Sequence, residues 1–236
     1  MNNVSLAMSF RIRCSAIHRI MAYKEQDKLP DGAITYLEEW LMEQTIARPL
    51  PNDNKYCLKG TRGQQAGAEL IKEAYPDQYG ILIPARERII GEYVEGEYDY
   101  IDYTGEDILD VKCSWMPVNF PKYKTVCPEK GYEWQVGAGY CGLKEGAKRG
   151  TIAYVLLDAT ETEILREIER HCYINDIEQT EEMHKDFRSR MVFPHLKPIE
   201  RIKLFHFDHR PDEILLVHKR VQKCRTHLLK LLNQYN

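Results

Sequence analysis

Residues 86–115, RERIIGEYVEGEYDYIDYTGEDILDVKCSW, form the stretch of sequence that decides the fold. Tyrosine, isoleucine and valine are frequent in it, and turn residues interrupt it at Gly91, Gly96 and Thr104-Gly105. Aromatic and β-branched residues between such turn residues favour strands. The stretch therefore predicts three consecutive strands that form an antiparallel meander.

The segments on both sides of this stretch alternate between helical and strand-like patterns. Before it, we expect helices over 31–47 and 62–75, with a turn-rich loop over 48–60 between them. After it, the expected elements are a helix over 129–145, a buried strand over 151–159, a helical excursion over 160–190, a strand over 201–208 and an amphipathic helix over 211–234. This order predicts an α/β fold in which helices flank both faces of a mixed central β-sheet.

No repeat, low-complexity segment or Pro/Gly/Ser-rich linker divides the chain, which predicts a single domain over residues 1–236. Its core is expected at about 60–210, with N-terminal helices at 10–50 and the last helix at 211–234. The apolar residues available to pack that last helix are Leu215, Val217, Val221, Leu228 and Leu232.

The composition excludes several classes of protein. The net charge is −3, from 33 basic and 36 acidic residues. This charge argues against a protein that binds nucleic acid by bulk charge alone, because such a protein is normally basic. The seven cysteines are widely spaced and form no CxxC pair, so we expect neither a disulfide framework nor a zinc site. No apolar run has the length of a membrane span, and the N-terminus lacks the apolar segment of a signal peptide; the expected location is the cytoplasm.

Three charged residues in the strand-rich stretch predict a site. Asp110 and Lys112 are two apart, so they point to the same face of a strand. Asp99 lies 11 positions before Asp110, across the turn at Thr104-Gly105, and a hairpin of that length brings the two carboxylates together. Carboxylate oxygens bind Mg²⁺, which activates water for phosphodiester hydrolysis, while an ammonium offsets the charge that develops on the phosphate. A DxK tripeptide by itself is more often part of a solvated strand face.

Two helices contribute further polar residues. In the second helix, Glu69 and Glu73 are four apart, where like charges repel unless a cation is close. An exposed helix face explains this pair equally well. Gln135 follows the third strand in a helix that also contains Gly137 and Gly139, and these glycines indicate close packing or the close approach of a ligand.

Taken together, these motifs resemble those of the PD-(D/E)XK nuclease superfamily. They are, in chain order, Gly96-x-x-Asp99, Asp110-x-Lys112-Cys113 and Tyr132-x-x-Gln135 with Tyr140. The likeness is to the viral-type recombination exonucleases related to lambda exonuclease, the YqaJ-like group, and to RecB/Cas4-type nuclease domains. Residues 10–21 and 202–221 are similar to the opening and closing segments of proteins in the same group. The resemblance therefore covers about residues 10–230. It implies a restriction-endonuclease-like fold.

The resemblance also implies a set of metal ligands. Asp99 and Asp110 would bind the metal directly, together with the backbone carbonyl of Val111. Glu69 would contact the metal through water or position a catalytic group. The implied ion is Mg²⁺, for which Mn²⁺ substitutes.

Other residues receive roles in DNA binding and catalysis. Lys112 would be the catalytic lysine, and Gln135 would contact the scissile region or support Lys112. Arg13 and Ser15 would bind a DNA phosphate at the 5′ end, since a serine at a helix start and a nearby arginine can hold an anion. The alternative is that Ser15 only caps the following helix and Arg13 is a surface residue.

The chain departs from the relatives in three ways. Many relatives carry glutamate where this chain has Asp110. In the RecB-type signature a tyrosine follows the glutamine by four positions, whereas here Gly139 occupies that position and Tyr140 comes one later. The four cysteines of the Cas4 iron–sulfur cluster have no counterpart in this spacing, so no cluster is expected.

The motifs predict a metal-dependent deoxyribonuclease. The resemblance implies a 5′→3′ exonuclease that degrades duplex DNA in recombination or repair. The resemblance further implies a single-strand annealing protein as partner, a homotrimer, and the host cytoplasm as location if the protein is viral. Two alternatives stay open: an endonuclease of restriction or structure-specific type, and a catalytically silent DNA-binding protein on the same fold.

Overall fold

The structure, a computed structural model, describes residues 2–22, 28–46 and 55–234, with side chains from Gly63 onward in the last range. The described helices are α1 (Asn3–Ser9), α2 (Ile17–Ile20), α3 (Asp31–Thr45), α4 (Lys55–Ala74), α5 (Pro76–Tyr79), α6 (Gly131–Glu133), α7 (Cys141–Leu143), α8 (Glu161–Asn175), α9 (Glu181–Met191) and α10 (Pro211–Gln234). The strands are β1 (Ile12–Arg13), β2 (Leu82–Pro84), β3 (Ile89–Ile90), β4 (Val94–Gly96), β5 (Tyr100–Asp102), β6 (Asp107–Ser114), β7 (Arg149–Leu156) and β8 (Ile202–Asp208). A π-helical segment, Trp134–Tyr140, joins α6 to α7.

The central sheet has five strands in the order β2-β5-β6-β7-β8. β6 and β7 are parallel, and the other neighbouring strands are antiparallel. α4 packs on one face, where Ala68 and Ile71 are buried with Leu109 and Val111 of β6. The π-helical segment and α10 lie on the other side, in a second core that includes Ile108. The expected fold class, a mixed sheet with helices on both faces, is confirmed.

The expected three-strand meander is wrong, because its strands belong to two sheets. β5 and β6 do form a hairpin, and Gly105 takes the positive φ of 76° that its turn requires. β4, however, pairs with β3 on one side and with β1 on the other, in a small sheet of order β1-β4-β3. β4 runs parallel to β1, which lies about 80 residues earlier in the chain. A pairing at such a separation leaves no signal in the local sequence.

Two expectations about helices also need correction. α4 begins at Lys55, so the loop expected over 48–60 is wrong for 55–60, while 48–54 lie outside the described residues. In α10, Leu215 is 57% exposed, although it was expected to pack with its apolar neighbours. Val217 and Val221 define the buried side, and Leu215 points away from it because successive helical residues are about 100° apart.

No helix in the described ranges is long and apolar enough to cross a membrane.

Two glycines bring α4 unusually close to β6. A β-carbon at Gly63 would lie 2.9 Å from the sulfur of Cys113, and one at Gly67 would lie 2.9 Å from a methyl carbon of Val111. The two glycines are four apart, so they share one face of the helix. The face of α4 next to them is therefore held against the strand that carries Asp110 and Lys112.

Candidate active site

The β5–β6 hairpin brings the two expected carboxylates together. Its register pairs Tyr100 with Leu109, so the same register places Asp99 opposite Asp110. Asp99 Oδ2 accepts a hydrogen bond of 2.6 Å from the backbone N–H of Val111, beside Asp110. Both carboxylates line one cleft of about 980 Å³. Asp99 and Asp110 thus lie side by side on the wall of a cavity large enough for a nucleotide-sized ligand.

The environment of Asp99 resists its negative charge. Burial, and then the neighbouring Asp110 carboxylate, raise the pKa of Asp99 to about 7, although the Val111 N–H and Lys112 act in the opposite direction. The other oxygen, Oδ1, accepts a hydrogen bond of 2.7 Å from the side-chain amide of Gln64 in α4. A cation bound nearby would therefore strongly favour the ionised form of Asp99.

Asp110 is almost fully buried, with 4% of its surface exposed. Its Oδ1 accepts a hydrogen bond of 3.1 Å from the amide of Gln135. Its Oδ2 forms an ion pair with the Lys112 ammonium at 2.5 Å, but among the described residues it receives no well-directed hydrogen bond. Gln135 and Lys112 are therefore the partners of this carboxylate, and Oδ2 keeps a lone pair that can bind a divalent cation.

Lys112 lies on the same face of β6 as Asp110, as its position two residues later predicts. Its ammonium is 4.9 Å from the centre of the Tyr132 ring, within the range of a cation–π contact. Burial alone would lower the pKa of Lys112, but Asp110 and Tyr132 outweigh it, and the pKa is raised. Lys112 is therefore a fixed positive charge at the cleft and not a base.

The π-helical segment explains the spacing between Gln135 and Tyr140. The Gln135 amide nitrogen donates both to Asp110 and, over 3.0 Å, to the hydroxyl of Tyr140. These two residues are five apart, the separation that a π-helix, with its i→i+5 hydrogen bonds, brings to neighbouring turns. The tyrosine that comes one position later than in the RecB-type signature thus still faces the glutamine.

Glu69 does not reach the cleft. Its side chain is 63% exposed and forms an ion pair of 2.9 Å with Lys72 on the same helix. Among the residues that the structure describes, no group of three or more His, Cys, Asp or Glu side chains is placed to hold a metal ion. The α4 residue that meets Asp99 is instead Gln64, which the sequence analysis did not select. The signal for it was the Gly63 and Gly67 pair, which marks the face of α4 that approaches β6.

Arg13 and Ser15 line a second cavity, of about 480 Å³, that adjoins the first. Asp99 and Gln64 contribute to both cavities, and Tyr140 lies in the second. Arg13 also forms a long ion pair, 3.8 Å, with Glu43. Ser15 belongs to a short 3₁₀ turn, Cys14–Ala16, and makes no capping hydrogen bond, so the alternative that it merely caps a helix finds no support here.

The chemistry of these donors fits a divalent cation. Two adjacent carboxylates supply hard oxygen ligands, and one of them carries the buried Oδ2 described above. The backbone carbonyl of Val111 lies between Asp110 and Lys112 in the chain and is a further oxygen donor of the same kind. Thiols do not compete, because burial raises the pKa of nearby Cys113 to about 12 and keeps it protonated.

Solved structures share this architecture over nearly the whole chain. A phage-related exonuclease from Haemophilus somnus 129PT has a TM-score of 0.76 and 21% identity over 100% of both chains. The alkaline exonuclease LHK-Exo from Laribacter hongkongensis has a TM-score of 0.60 and 11% identity, covering 99% of this chain and 94% of its own. The chain has the fold of these two exonucleases.

This shared fold is consistent with the resemblance that the sequence motifs carry. No family model and no curated protein matches the sequence, so the likeness rests on the structure. At such low identity the comparison establishes the architecture, and the roles of individual residues have to be argued from the geometry of the site.

Proposed function

We propose that the protein is a Mg²⁺-dependent deoxyribonuclease that degrades duplex DNA from the 5′ end. The observation that carries the proposal is the convergence of Asp99, Asp110 and Lys112 on one cleft. The shared fold with two exonucleases supports it, and LHK-Exo has also been crystallised in complex with dAMP.

Asp99 and Asp110 would hold the ion, together with the backbone carbonyl of Val111. Mg²⁺ bound there supplies an activated water and neutralises charge on the phosphate, and Mn²⁺ is expected to substitute. Glu69 is omitted from the ligand set, because its carboxylate is exposed and paired with Lys72.

Lys112 would stabilise the negative charge that develops on the phosphate oxygens. Its raised pKa keeps it protonated at neutral pH, and the Tyr132 ring and Asp110 hold its ammonium in the cleft. A preorganised charge in a partly buried site is worth more in the transition state than the same charge in water. Gln135, which donates to Asp110, would fix that carboxylate and thereby support the lysine beside it.

Arg13 and Ser15 would bind the 5′-phosphate of a DNA end. Their cavity shares Asp99 with the catalytic cleft, so a phosphate held there lies next to the reacting bond. The wild type should then cleave 5′-phosphorylated ends faster than 5′-hydroxyl ends, and Arg13→Ala should remove this preference while metal binding is retained. Equal rates on the two kinds of end would contradict this assignment and favour an endonuclease.

A role in recombination or repair, a single-strand annealing partner and a trimeric assembly follow from the family resemblance alone. The alternative of a silent DNA-binding protein is disfavoured, because such proteins are expected to lack part of the catalytic set. Here Asp99, Asp110 and Lys112 are all present in one cleft.

The test is digestion of linear and covalently closed circular duplex DNA of the same sequence, with and without Mg²⁺. The proposal expects degradation of the linear form alone, and only with the metal. Cleavage of the closed circle would indicate an endonuclease. DNA binding without cleavage of either form would indicate the silent alternative.

A further inference from the structure

Gln64 is a polar residue of α4 that touches the candidate metal site directly. Its side-chain nitrogen donates a hydrogen bond of 2.7 Å to Asp99 Oδ1, and it lines both the catalytic cleft and the adjoining cavity. Gly63 and Gly67 allow the helix to come this close to β6. Glu69, five positions later, lies roughly 140° further around the helix and points to solvent.

The hydrogen bond from Gln64 helps to fix the orientation of the Asp99 carboxylate. The backbone N–H of Val111 holds Oδ2 at 2.6 Å, and the Gln64 amide holds Oδ1 at 2.7 Å. With one donor on each oxygen, the carboxylate cannot rotate freely about its Cβ–Cγ bond. Each oxygen still has a second lone pair, so both remain able to accept a cation.

The other carboxylate of the site, Asp110, also accepts a hydrogen bond from a side-chain amide. Gln135 donates to Asp110 Oδ1, as Gln64 donates to Asp99 Oδ1. Both donors are amides, which supply a hydrogen bond without adding charge. A glutamate at position 64 would instead place a third acid beside the buried Asp110 and the half-buried Asp99, with more repulsion in the absence of metal and one more ligand in its presence.

We propose that Gln64 is a positioning residue that orients Asp99 for divalent cation binding and limits the site to two carboxylates. The inference rests on the proposed function, since it assumes that Asp99 binds the metal. It predicts that residue 64 controls the affinity for the ion. Outer partners of ligating carboxylates typically change metal affinity by about 10- to 100-fold when they are removed.

The experiment measures Mn²⁺ binding to the DNA-free protein by titration calorimetry, using Gln64→Met and Gln64→Glu. Methionine keeps the shape but removes the donor, and binding should weaken about tenfold. Glutamate adds a ligand, and binding should tighten about tenfold. The matched controls are Gln65→Met and Gln65→Glu, since Gln65 is the next residue and is exposed; they should stay within about twofold of the wild type.

A second readout separates positioning from a merely structural role. If Gln64 acts through metal affinity, the cleavage rate of Gln64→Met recovers at saturating Mn²⁺, and thermal unfolding of the metal-free variant stays close to that of the wild type. Wild-type Mn²⁺ affinity in a folded Gln64→Met would overturn the inference, while the proposed nuclease function would stand. A wild-type protein that binds no Mn²⁺ would overturn both.

Discussion

Asp107 and Asp110 lie three residues apart on β6 and are equally buried, with 3% and 4% of their surfaces exposed, yet their surroundings differ. Both oxygens of Asp107 have hydrogen-bond donors: Oδ2 accepts from the Tyr79 hydroxyl and from two nitrogens of Arg149, and Oδ1 accepts from the Thr151 hydroxyl. Asp110 receives one amide donor and one ion pair, and its Oδ2 lacks a well-directed hydrogen bond.

The comparison distinguishes a structural carboxylate, Asp107, from Asp110, which we propose binds a metal ion. A buried acid whose two oxygens are both held by several protein donors is part of the structural network of the fold. A buried acid with one amide donor and one ion pair, beside a second carboxylate and at the wall of a cleft, is placed to bind a divalent cation. The same residue type on the same strand therefore has two different environments, and the metal-binding role that we propose for Asp110 follows from its own.

The largest expected effect is the loss of catalysis in Asp110→Asn. The substitution keeps the shape of the side chain but removes a metal ligand, so DNA hydrolysis should fall by about a thousandfold or more. Asp107→Asn is the matched control and should retain cleavage at a temperature at which it is folded. Comparable activity losses in the two folded variants would remove the distinction between the carboxylates.

Lys112→Ala should lower kcat by about a hundredfold or more, because the ammonium acts on charge that appears in the transition state. Mn²⁺ affinity, measured by calorimetry, should stay close to that of the wild type. Near wild-type turnover would exclude Lys112 from the mechanism, while the assignment of Asp99 and Asp110 as ligands would survive.

Asp107→Asn should lower the free energy of unfolding by about 3 kcal/mol, since it leaves the Arg149 guanidinium without its anionic partner in a buried network. Denaturant unfolding measures the change. An unchanged midpoint would mean that the Asp107 network contributes little to stability, and Asp107 could then no longer be described as a structural carboxylate.

The strand and helix patterns predicted the central sheet, because local sequence carries the information for the β5–β6 hairpin. The alternation at Asp110 and Lys112 and the turn at Gly105 are short-range features. The placement of β4 beside β1 was not predictable in this way, since it depends on a pairing between segments about 80 residues apart.

The site was predicted in part, for a related reason. Asp99, Asp110 and Lys112 lie on one hairpin, so their convergence follows from strand register. The contribution of α4 depends on which face of that helix packs on the sheet, and acidic residues alone do not reveal it. The small residues Gly63 and Gly67 do, and they place Gln64 rather than Glu69 against Asp99.

The smallest expected effect concerns stability and pH. The pKa of Asp99 is raised from 3.8 to about 7 by burial and by Asp110, so the folded protein binds this proton more tightly than the unfolded chain. In metal-free buffer its contribution to stability is therefore fully present below about pH 4 and is lost as the pH rises towards 7.

Asp99→Asn removes this pH dependence. At pH 8 it should stabilise the metal-free protein by on the order of 2 kcal/mol, because the new amide avoids the charge but must also accommodate the Gln64 amide. At pH 4 the two proteins should unfold alike. A variant that is less stable than the wild type at pH 8 would contradict the raised pKa.

The central claim is that the pair Asp99 and Asp110 is a divalent cation site. The most direct measurement is a crystal structure of the protein grown with Mn²⁺, in which the anomalous signal locates the ion independently of its ligands. The account predicts one strong peak in contact with the carboxylates of both Asp99 and Asp110, and none at Asp107. An ion bound elsewhere, or no peak at this pair when the crystal is saturated with Mn²⁺, would contradict it.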